Sequence, residues 1–471
     1  MSANVDLAII GTGPAGMAAA TTAAELRLTV AVLDEQPEPG GQIYRGIERL
    51  AANRPRHLEW LGPDYAAGLE LTRAFRSARL DYLPGAQVWQ LGADGRVFYQ
   101  RAGATGILTA RKVLIATGAM ERPFPVPGWT LPGVLTCGAA QTLLKANGVA
   151  PQGRFVLAGS GPLLLLLAAQ LVRAGVRPAA LLETGVHRFA ALAHLPGMLA
   201  SPRYLVKGLA LLREIRSAGI AYHRGVTRLT IEGDEKARAV EFVCDGKTQH
   251  LPVDHVFLHQ GVVPNGNLGL SAALAHEWDA MQRCFRPRLD LWGRSSAPSV
   301  LVAGDAGGIV GAEGAALMGR LAAFAAAADL GRLSEAECSS RARQVRKTLA
   351  RLRAARPFLD ALYRPDPRWT APADPQTIVC RCEEVRAGEI RKLVTEQQCP
   401  GPNQLKAFAR CGMGACQGRL CGLTVVELIA EARGVPVEQV GYYRIRPPVK
   451  PVTVGDMATL DVASRHDAVN P

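Results

Sequence analysis

Cysteine is the residue type whose spacing in this sequence most clearly indicates chemistry. Six of the ten cysteines lie between residues 380 and 421, and five of these six form two tight groups on either side of Cys399. The first group is Cys380-Arg381-Cys382, and the second is Cys411-Gly412-Met413-Gly414-Ala415-Cys416-Gln417-Gly418-Arg419-Leu420-Cys421. Thiolates bind soft metal ions and iron–sulfur clusters, and glycines let the backbone fold back around them. The pattern therefore predicts a metal or iron–sulfur site.

Two kinds of site are compatible with these cysteines. A [2Fe–2S] cluster takes four thiolates. Structural zinc also takes four ligands, but its cysteine pairs are usually separated by roughly two to four residues, so Cys380-x-Cys382 is cramped for one tetrahedral ion. We favour the cluster and keep zinc as the alternative. Spacing alone leaves all five grouped cysteines as candidate ligands.

A second chemical pattern is the glycine-rich segment Gly11-Thr12-Gly13-Pro14-Ala15-Gly16. It follows an apolar strand predicted at residues 6–10 and precedes a helix predicted at 17–26, and a second strand at 29–33 ends at Asp34-Glu35. In such a unit Gly11 makes the tight turn, Gly13 admits a pyrophosphate, and Gly16 lets the helix approach the strand. We predict a dinucleotide site here, with Asp34 on a ribose hydroxyl and Glu35 as the alternative.

The segment 155–183 repeats this unit with one difference. A strand at 155–158 runs into Gly159-Ser160-Gly161-Pro162-Leu163-Leu164, a helix at 165–174 follows, and a strand at 179–182 ends at Glu183. Leu164 stands where the third glycine belongs, and a leucine there crowds the helix–strand contact. We predict a second nucleotide-binding domain, with Gly159, Gly161 and Glu183 as candidate contacts. Its ligand is left open between NAD(P), another adenine nucleotide such as ATP, and none, with the domain acting as scaffold.

Three shorter segments resemble signatures of the flavoproteins that have two dinucleotide-binding domains. They are Pro39-Gly40-Gly41-Gln42-Ile43-Tyr44, Ala116-Thr117-Gly118 and Ala303-Gly304-Asp305. The resemblance implies that Gly41 and Gln42 lie in the loop that reaches the flavin, and that the chain leaves the FAD domain after Thr117-Gly118. It also implies that Asp305 bonds the flavin ribityl chain, although an aspartate at this point also suits an ordinary helix cap.

This resemblance implies an α/β fold with three domains and one linker region. A discontinuous Rossmann-like FAD-binding domain is predicted at residues 1–130 and 261–335, with an NAD(P)-like domain inserted at 131–260. A helical segment and a proline-rich linker are predicted at 336–375. A small cysteine-rich [2Fe–2S] domain is predicted at 376–471, and its segment 444–451 is interpreted as an extended arm suited to packing on a partner subunit.

Taken together, the motifs resemble one family over nearly the whole chain. It comprises the FAD-containing α subunits of hetero-oligomeric amine and imino-acid dehydrogenases, the group of opine oxidase, D-hydroxyproline dehydrogenase and hydrogen cyanide synthase. The cysteine domain is similar to the bacterioferritin-associated ferredoxin-like [2Fe–2S] domain. The ligands that this similarity implies are Cys380, Cys382, Cys416 and Cys421. Cys411 lies outside the motif, and Glu384 and Arg419 are candidates for tuning the cluster.

In that family a separate flavoprotein β subunit, similar to glycine oxidase, oxidises the C–N bond. The resemblance thus implies that this chain relays electrons from a secondary amine, opine or imino acid to a quinone or carrier protein, through FAD and the cluster. Its partners would be the β subunit, with or without a small γ subunit, and the electron acceptor. No catalytic residue is assigned: His255 and His259 are interpreted as structural, and Cys137 lacks the second cysteine of a C-x-x-C dithiol.

Composition narrows the alternatives. The net charge is +13, but the chain has no dense basic block and few aromatic residues, so we predict no nucleic-acid partner. We find neither a signal peptide nor a transmembrane segment, which predicts a cytoplasmic protein, with peripheral attachment to the inner membrane through its acceptor as a variant. Two other functions are kept open: an NAD(P)H-dependent reductase of a ferredoxin-type partner, and a structural subunit without turnover.

Overall fold

The structure is a computed structural model, and it describes residues 4–92, 94–185 and 188–460. The first part of the chain alternates strands and helices. Its elements are β1 (Asn4–Ile10), α1 (Pro14–Glu25), β2 (Val30–Asp34), α2 (Ile47–Asn53), α3 (His57–Leu61), α4 (Pro63–Ala66), α5 (Gly68–Ser77), β3 (Asp81–Pro84), β4 (Gln87–Leu91), β5 (Arg96–Arg101), β6 (Ala104–Ile115) and β7 (Ala119–Glu121).

The second part forms a separate parallel sheet. Its elements are β8 (Val134–Thr136), α6 (Cys137–Asn147), β9 (Phe155–Ser160), α7 (Pro162–Arg173), β10 (Ala180–Glu183), α8 (Arg188–Leu192), α9 (Leu195–Leu199), α10 (Pro202–Ser217), β11 (Ala221–Arg224), β12 (Arg228–Glu232), β13 (Ala239–Cys244), β14 (Lys247–Pro252) and β15 (His255–Gln260). The strand order is β11-β10-β9-β15-β8, and β12 to β14 form an antiparallel sheet of their own.

The chain then returns to the first sheet. The returning elements are β16 (Val262–Pro264), α11 (Asn267–Ser271), β17 (His276–Asp279), β18 (Cys284–Pro287), β19 (Val300–Val302), a short 3-10 helix (Gly304–Ala306) and α12 (Ala312–Asp329). β16 pairs with β7, so the outgoing and returning segments lie side by side. The first sheet has the order β3-β2-β1-β6-β5-β4, and β19 pairs in parallel with β6. The predicted α/β fold is confirmed.

The strand β1 shows why this sheet forms where it does. Every residue of β1 except Asn4 is buried, because the strand pairs with β2 and β6 and lies beneath helices. A parallel sheet covered on both faces requires such a continuous apolar run rather than an alternating one. The helices α1 and α12 pack together so closely that a Cβ atom on Gly319 would overlap the carbonyl oxygen of Ala15. The first glycine loop is therefore held rigidly between β1 and α12.

The last part of the chain contains the cysteines. Its elements are α13 (Glu335–Ala354), α14 (Arg356–Leu362), α15 (Pro367–Thr370), β20 (Ile378–Cys380), β21 (Val385–Arg386), α16 (Ala387–Glu396), α17 (Pro402–Ala409), α18 (Gly422–Arg433), α19 (Val437–Val440) and α20 (Val454–Ala458). The proline-rich run before β20 is packed rather than loose, since Trp369 is buried edge-on against Phe124 at 5.4 Å between ring centroids. Trp129 Nε1 also donates to the carbonyl of Ile378 at 2.7 Å.

The segment 444–451 lies against the chain's own first sheet. The Val449 amide donates to the carbonyl of Trp89 at 2.9 Å, and Gln87 Nε2 donates to the carbonyl of Pro451 at 3.1 Å. Lys450 forms an ion pair with Glu35. The described part of this arm therefore joins the cysteine-rich domain to the first domain. Among the helices of the described residues, none has the length and apolar character needed to cross a bilayer.

Candidate functional site

The first glycine loop has the geometry of a dinucleotide cradle. α1 begins at Pro14, three residues earlier than predicted, because proline is well accommodated in the first turn of a helix. The first-turn N–H groups therefore face the loop, where they favour an anion. A Cβ atom on Gly16 would overlap the carbonyl oxygen of Gly11, so only glycine permits this approach of helix to strand. The loop fits the diphosphate of a dinucleotide.

Asp34 lies at the end of β2, beside this loop. Its carboxylate accepts hydrogen bonds from the Thr12 amide at 2.6 Å, from Thr12 Oγ1 at 2.5 Å and from the Gln36 amide at 2.7 Å. A carboxylate has roughly four acceptor sites, so Asp34 retains capacity for a ribose hydroxyl. Glu35, the alternative, is exposed and paired with Lys450.

The segment from Gly40 to Gly46 packs against the glycine loop. The Gly40 amide donates to the carbonyl of Thr12 at 2.9 Å, and a Cβ atom on Gly41 would lie 2.8 Å from the Cα atom of Gly13. The carbonyl of Gln42 accepts a hydrogen bond from Lys145 Nζ at 3.2 Å. The structure thus brings Gly41 and Gln42 to the dinucleotide cradle.

The segments 116–118 and 303–305, which also resemble flavoprotein signatures, lie at the same end of the first sheet. Thr117 Oγ1 donates to the carbonyl of Asn265 at 3.0 Å, and the Asn265 amide donates to the carbonyl of Gly118 at 3.0 Å. A Cβ atom on Gly304 would lie 2.7 Å from the Cβ atom of Ala15, so Asp305 sits next to α1. Asp305 Oδ1 accepts from the amides of residues 310 and 311 at 2.8 and 3.1 Å, while burial raises the pKa of this carboxyl.

The second glycine loop is more crowded. Leu164 is 1% exposed and packs in the core, where the first loop has Gly16. The ring of His259 lies across the loop, and a Cβ atom on Gly161 would come within 2.6 Å of His259 Nε2. Glu183, the candidate ribose contact, accepts a hydrogen bond from Tyr222 at 3.1 Å.

A buried hydrogen bond between Glu121 and His259 supports this second loop. The distance from His259 Nδ1 to Glu121 Oε1 is 2.7 Å, and Glu121 Oε2 accepts from the Gly138 amide at 2.6 Å. His259 has the structural position that the sequence predicted. Glu121 was not singled out from the sequence, because its partner lies 138 residues away.

Three of the grouped cysteines form a buried cluster. Cys380, Cys411 and Cys421 are buried, and their sulfur atoms all lie within 4.8 Å of one another. Cys411, which the family motif leaves out, is therefore at the centre of the site. The tightly coupled thiols stabilise one negative charge: hydrogen bonds from Cys411 and then Cys421 lower the pKa of Cys380, while the bond to Cys380 raises the pKa of Cys411 and of Cys421.

Cys382 and Cys416 lie together on the outer side of this cluster. Cys382 is exposed and Cys416 is half-buried, and the backbone N–H and thiol of Cys416 contact the sulfur of Cys382. Gly414 packs so closely on Cys382 that a Cβ atom would overlap it. The structure thus gathers three buried thiols and two outer ones, which are five candidate ligands for a metal.

The neighbours of the cysteines are partly those expected. Arg419 Nε donates to the carbonyl of Cys416 at 2.9 Å and so holds the cysteine loop. Glu384 takes a left-handed backbone conformation with φ 53° at the turn between β20 and β21. Cys399 is buried with its thiol against the carbonyl of Leu393 at 3.7 Å, apart from the grouped cysteines.

The cysteine loop is hydrogen-bonded to α11 of the first domain. Asn267 Nδ2 donates to the carbonyl of Gln417 at 2.9 Å, and Gln417 is the neighbour of Cys416. Asn267 follows Asn265, which is bonded to Thr117. A short path of backbone and hydrogen bonds therefore connects the cradle with the cysteines. Sequence reasoning missed Asn267, since no motif marks a contact across 150 residues.

Comparison with known families agrees with this architecture. Residues 5–328 match the pyridine nucleotide-disulphide oxidoreductase family, which supports FAD as the cofactor of the first domain. Residues 376–460 match the sarcosine oxidase A3 domain. The L-proline dehydrogenase of P. horikoshii has a similar fold, with a TM-score of 0.70 at 20% identity over 97% of this chain and 80% of that one.

Relatives with similar sequences extend over the whole chain. The A subunit of an opine oxidase from Rhizobium meliloti is 47% identical over 98% of this chain and 88% of its own. The HcnB subunit of hydrogen cyanide synthase from Pseudomonas aeruginosa is 32% identical over 95% of this chain and 97% of its own. The predicted resemblance to this group of oxidoreductases is confirmed. The chain therefore belongs to the pyridine nucleotide-disulphide oxidoreductase family and, within it, to the family of the opine oxidase A subunits.

Proposed function

We propose that this chain is the electron-transfer subunit of a hetero-oligomeric dehydrogenase that oxidises a secondary amine, opine or imino acid at its C–N bond. The observation that carries the proposal is the hydrogen bond from Asn267 to Gln417, which joins the cysteine loop to the domain that contains the first glycine loop. The names of the relatives, the A subunit of opine oxidase and the alpha subunit of sarcosine oxidase, supply the reaction class and the existence of other subunits.

FAD is the cofactor that we assign to the first cradle. Bound FAD accepts electrons in pairs and passes them on singly. The residues that would hold it are Gly11, Gly13, Pro14, Ala15, Gly16, Asp34, Gly41, Gln42, Thr117, Gly118, Gly304 and Asp305. The glycine loop and the start of α1 would bind the diphosphate, and Asp34 would orient the ribose. Asp305 is positioned by backbone amides beside α1, and Glu35 remains the alternative ribose contact.

For the cysteines we propose a [2Fe–2S] cluster, with zinc as the alternative. The proposed ligands are Cys380, Cys382, Cys416 and Cys421. Their thiolates would hold the iron, and the outer pair would place one edge of the centre near the surface. Cys411→Ser tests the choice, since the cluster should survive it and should be lost in Cys380→Ser. Loss of the visible cluster absorption in Cys411→Ser would instead make Cys411 a ligand.

We propose that the second nucleotide domain is a structural support and that it does not bind a nicotinamide that reduces the flavin. Leu164 and His259 crowd its loop, so that an adenine nucleotide of the NAD(P) or ATP type would have to bind Gly159, Gly161 and Glu183 in a narrowed site. The competing function is an NAD(P)H-dependent reductase. Anaerobic NADH should leave the flavin absorbance unchanged, whereas rapid bleaching would establish the reductase.

An electron-transfer subunit requires a partner that oxidises the amine and an acceptor that takes the electrons. We propose a catalytic flavoprotein β subunit similar to glycine oxidase, with or without a small γ subunit, and a quinone or carrier protein as acceptor. The location proposed is the cytoplasm, with peripheral contact to the inner membrane where the acceptor is a quinone. Neither nucleic acid nor a transmembrane segment has a place in this proposal.

Purifying the chain with and without its catalytic partner tests the proposal. The chain alone should contain FAD and iron but no amine dehydrogenase activity, and activity should appear when the partner is added. Robust amine oxidation by the chain alone would contradict the subunit function. A colourless protein without flavin or iron would favour the structural subunit instead.

A further inference from the structure

Lys145 is a buried cation that the second domain places against the first. It lies in the last turn of α6 and is 4% exposed. Its ammonium group donates to the carbonyl of Gln42 and lies 5.8 Å from the centroid of the Tyr65 ring. Within residues 4–92, 94–185 and 188–460, no carboxylate forms an ion pair with it. Lys145 therefore has a protein acceptor in Gln42 but no counter-ion among the described residues.

Arg45 brings a second positive charge to the same place. Its carbonyl accepts a hydrogen bond from the Tyr65 hydroxyl at 2.8 Å, and its Nε atom is buried without a hydrogen-bond partner among the described residues. Burial, and then the charge of Arg45, lower the pKa of Lys145 to about 7. A buried ammonium beside a guanidinium is costly unless an anion compensates it. The carboxylates of Asp34 and Glu38 act on Arg45, so the charge that lacks a counter-ion is that of Lys145 alone.

The position of Lys145 places its charge on the far side of the segment that covers the first glycine loop. The segment from Gly40 to Gly46 separates Lys145 from the first glycine loop, and Gly41 touches Gly13 on the loop side. A Cβ atom on Gly46 would lie 3.3 Å from the Cα atom of Ala146, so α6 closes the other side. FAD, the dinucleotide assigned to this cradle, has two sources of negative charge. Its diphosphate is always charged, and its flavin ring becomes negatively charged on reduction.

We propose that Lys145 supports the FAD site from behind the segment 40–46, and that the inserted domain thereby supplies a positive charge close to the cofactor of the other domain. The negative charge it meets belongs either to the diphosphate or to the reduced flavin ring. The inference rests on the proposed assignment of FAD to the first domain. It gives the inserted domain a role that needs no nucleotide in the crowded loop at Leu164.

The test compares Lys145→Met with Lys247→Met in the full chain. The first substitution removes the charge at nearly constant volume, and the second does the same at an exposed position of β14. Two quantities are measured, the FAD dissociation constant by flavin fluorescence and the flavin midpoint potential. If Lys145 meets the diphosphate, we expect FAD to bind about tenfold more weakly at an unchanged potential. If it meets the reduced ring, the affinity for reduced FAD should fall about tenfold relative to the affinity for oxidised FAD. This change lowers the flavin midpoint potential by ~30 mV.

Unchanged affinity and potential in Lys145→Met would overturn the inference. Failure of the wild-type chain to bind FAD at all would refute the cofactor assignment instead, so the two failures are distinguishable. If Lys145→Met does not fold, the inference is tested instead by measuring the protons that the wild-type apoprotein takes up when it binds FAD. Arg45, Tyr65, Asp34 and Glu38 are the titratable groups around Lys145 and its neighbour. Calorimetry near pH 8 in two buffers should show roughly one proton taken up with FAD, and no uptake would count against Lys145.

Discussion

The two glycine loops of this protein start from the same strand–loop–helix pattern and reach different environments. In the first, Gly16 lets α1 touch the loop, and Asp34 at the end of β2 accepts hydrogen bonds from Thr12 of the loop. In the second, Leu164 fills the corresponding contact and His259 lies across the loop. Leu164 and His259 therefore narrow the second loop, whereas the first has Gly16 at the position of Leu164. A glycine motif thus indicates a fold reliably, but its side-chain surroundings decide whether it is also a cofactor site.

The largest effect should come from giving the first loop the leucine of the second. In Gly16→Leu the side chain would overlap the Gly11 carbonyl, so FAD content per chain should fall about tenfold or more. The ratio of flavin to protein absorbance measures this. Gly208→Leu is the control, because no atom lies within 4 Å of a Cβ added there. Full retention of FAD in Gly16→Leu would remove the physical distinction between the two loops.

The converse substitution should affect stability and not the flavin. Leu164→Ala removes a fully buried side chain from the second domain, and such truncations cost about 2–5 kcal/mol of unfolding free energy. FAD content should stay unchanged. Urea unfolding measures the effect against Leu209→Ala, a leucine that is 59% exposed and should change stability by less than about 0.5 kcal/mol. Loss of FAD without loss of stability in Leu164→Ala would show that the second loop does act on the cofactor.

A smaller effect is expected from the hydrogen bond between Glu121 and His259 behind the second loop. Glu121→Gln weakens the contact with buried His259 and should lower the unfolding free energy by about 1–3 kcal/mol. The matched control is Glu232→Gln, which disrupts a solvent-exposed pair with His250 at 3.1 Å and should change little. Equal effects of the two substitutions would mean that the buried pair does not support the loop.

Local patterns were predictable from the sequence, and contacts between distant segments were not. The two strand–loop–helix units follow from apolar runs and glycines that are neighbours in the chain, so their elements were placed to within a few residues. Lys145 and Gln42 are 103 residues apart, and Asn267 and Gln417 are 150 apart. No periodicity or motif reports such contacts, because they depend on how the domains pack.

In the cysteine site, too, the sequence did not predict which side chains come together, although the residues are closer in the chain. Grouped cysteines predicted a metal or cluster site, and the structure gathers five of them. The family motif set Cys411 aside, yet folding of the glycine-containing loop buries it beside Cys380 and Cys421. The choice of ligands stays a prediction, as do the domain boundaries. What a spacing rule cannot supply is the direction in which each thiol points once the loop has closed.

Electron transfer from the flavin to the cysteine centre is tested most directly in the full chain by anaerobic photoreduction of FAD followed by electron paramagnetic resonance. We predict that reducing the flavin produces the spectrum of a reduced [2Fe–2S] cluster in the same molecules, because the path through Asn267 and Gln417 joins the two sites. A flavin that is fully reduced while no paramagnetic iron appears, or a protein that contains zinc in place of iron, would contradict the electron relay.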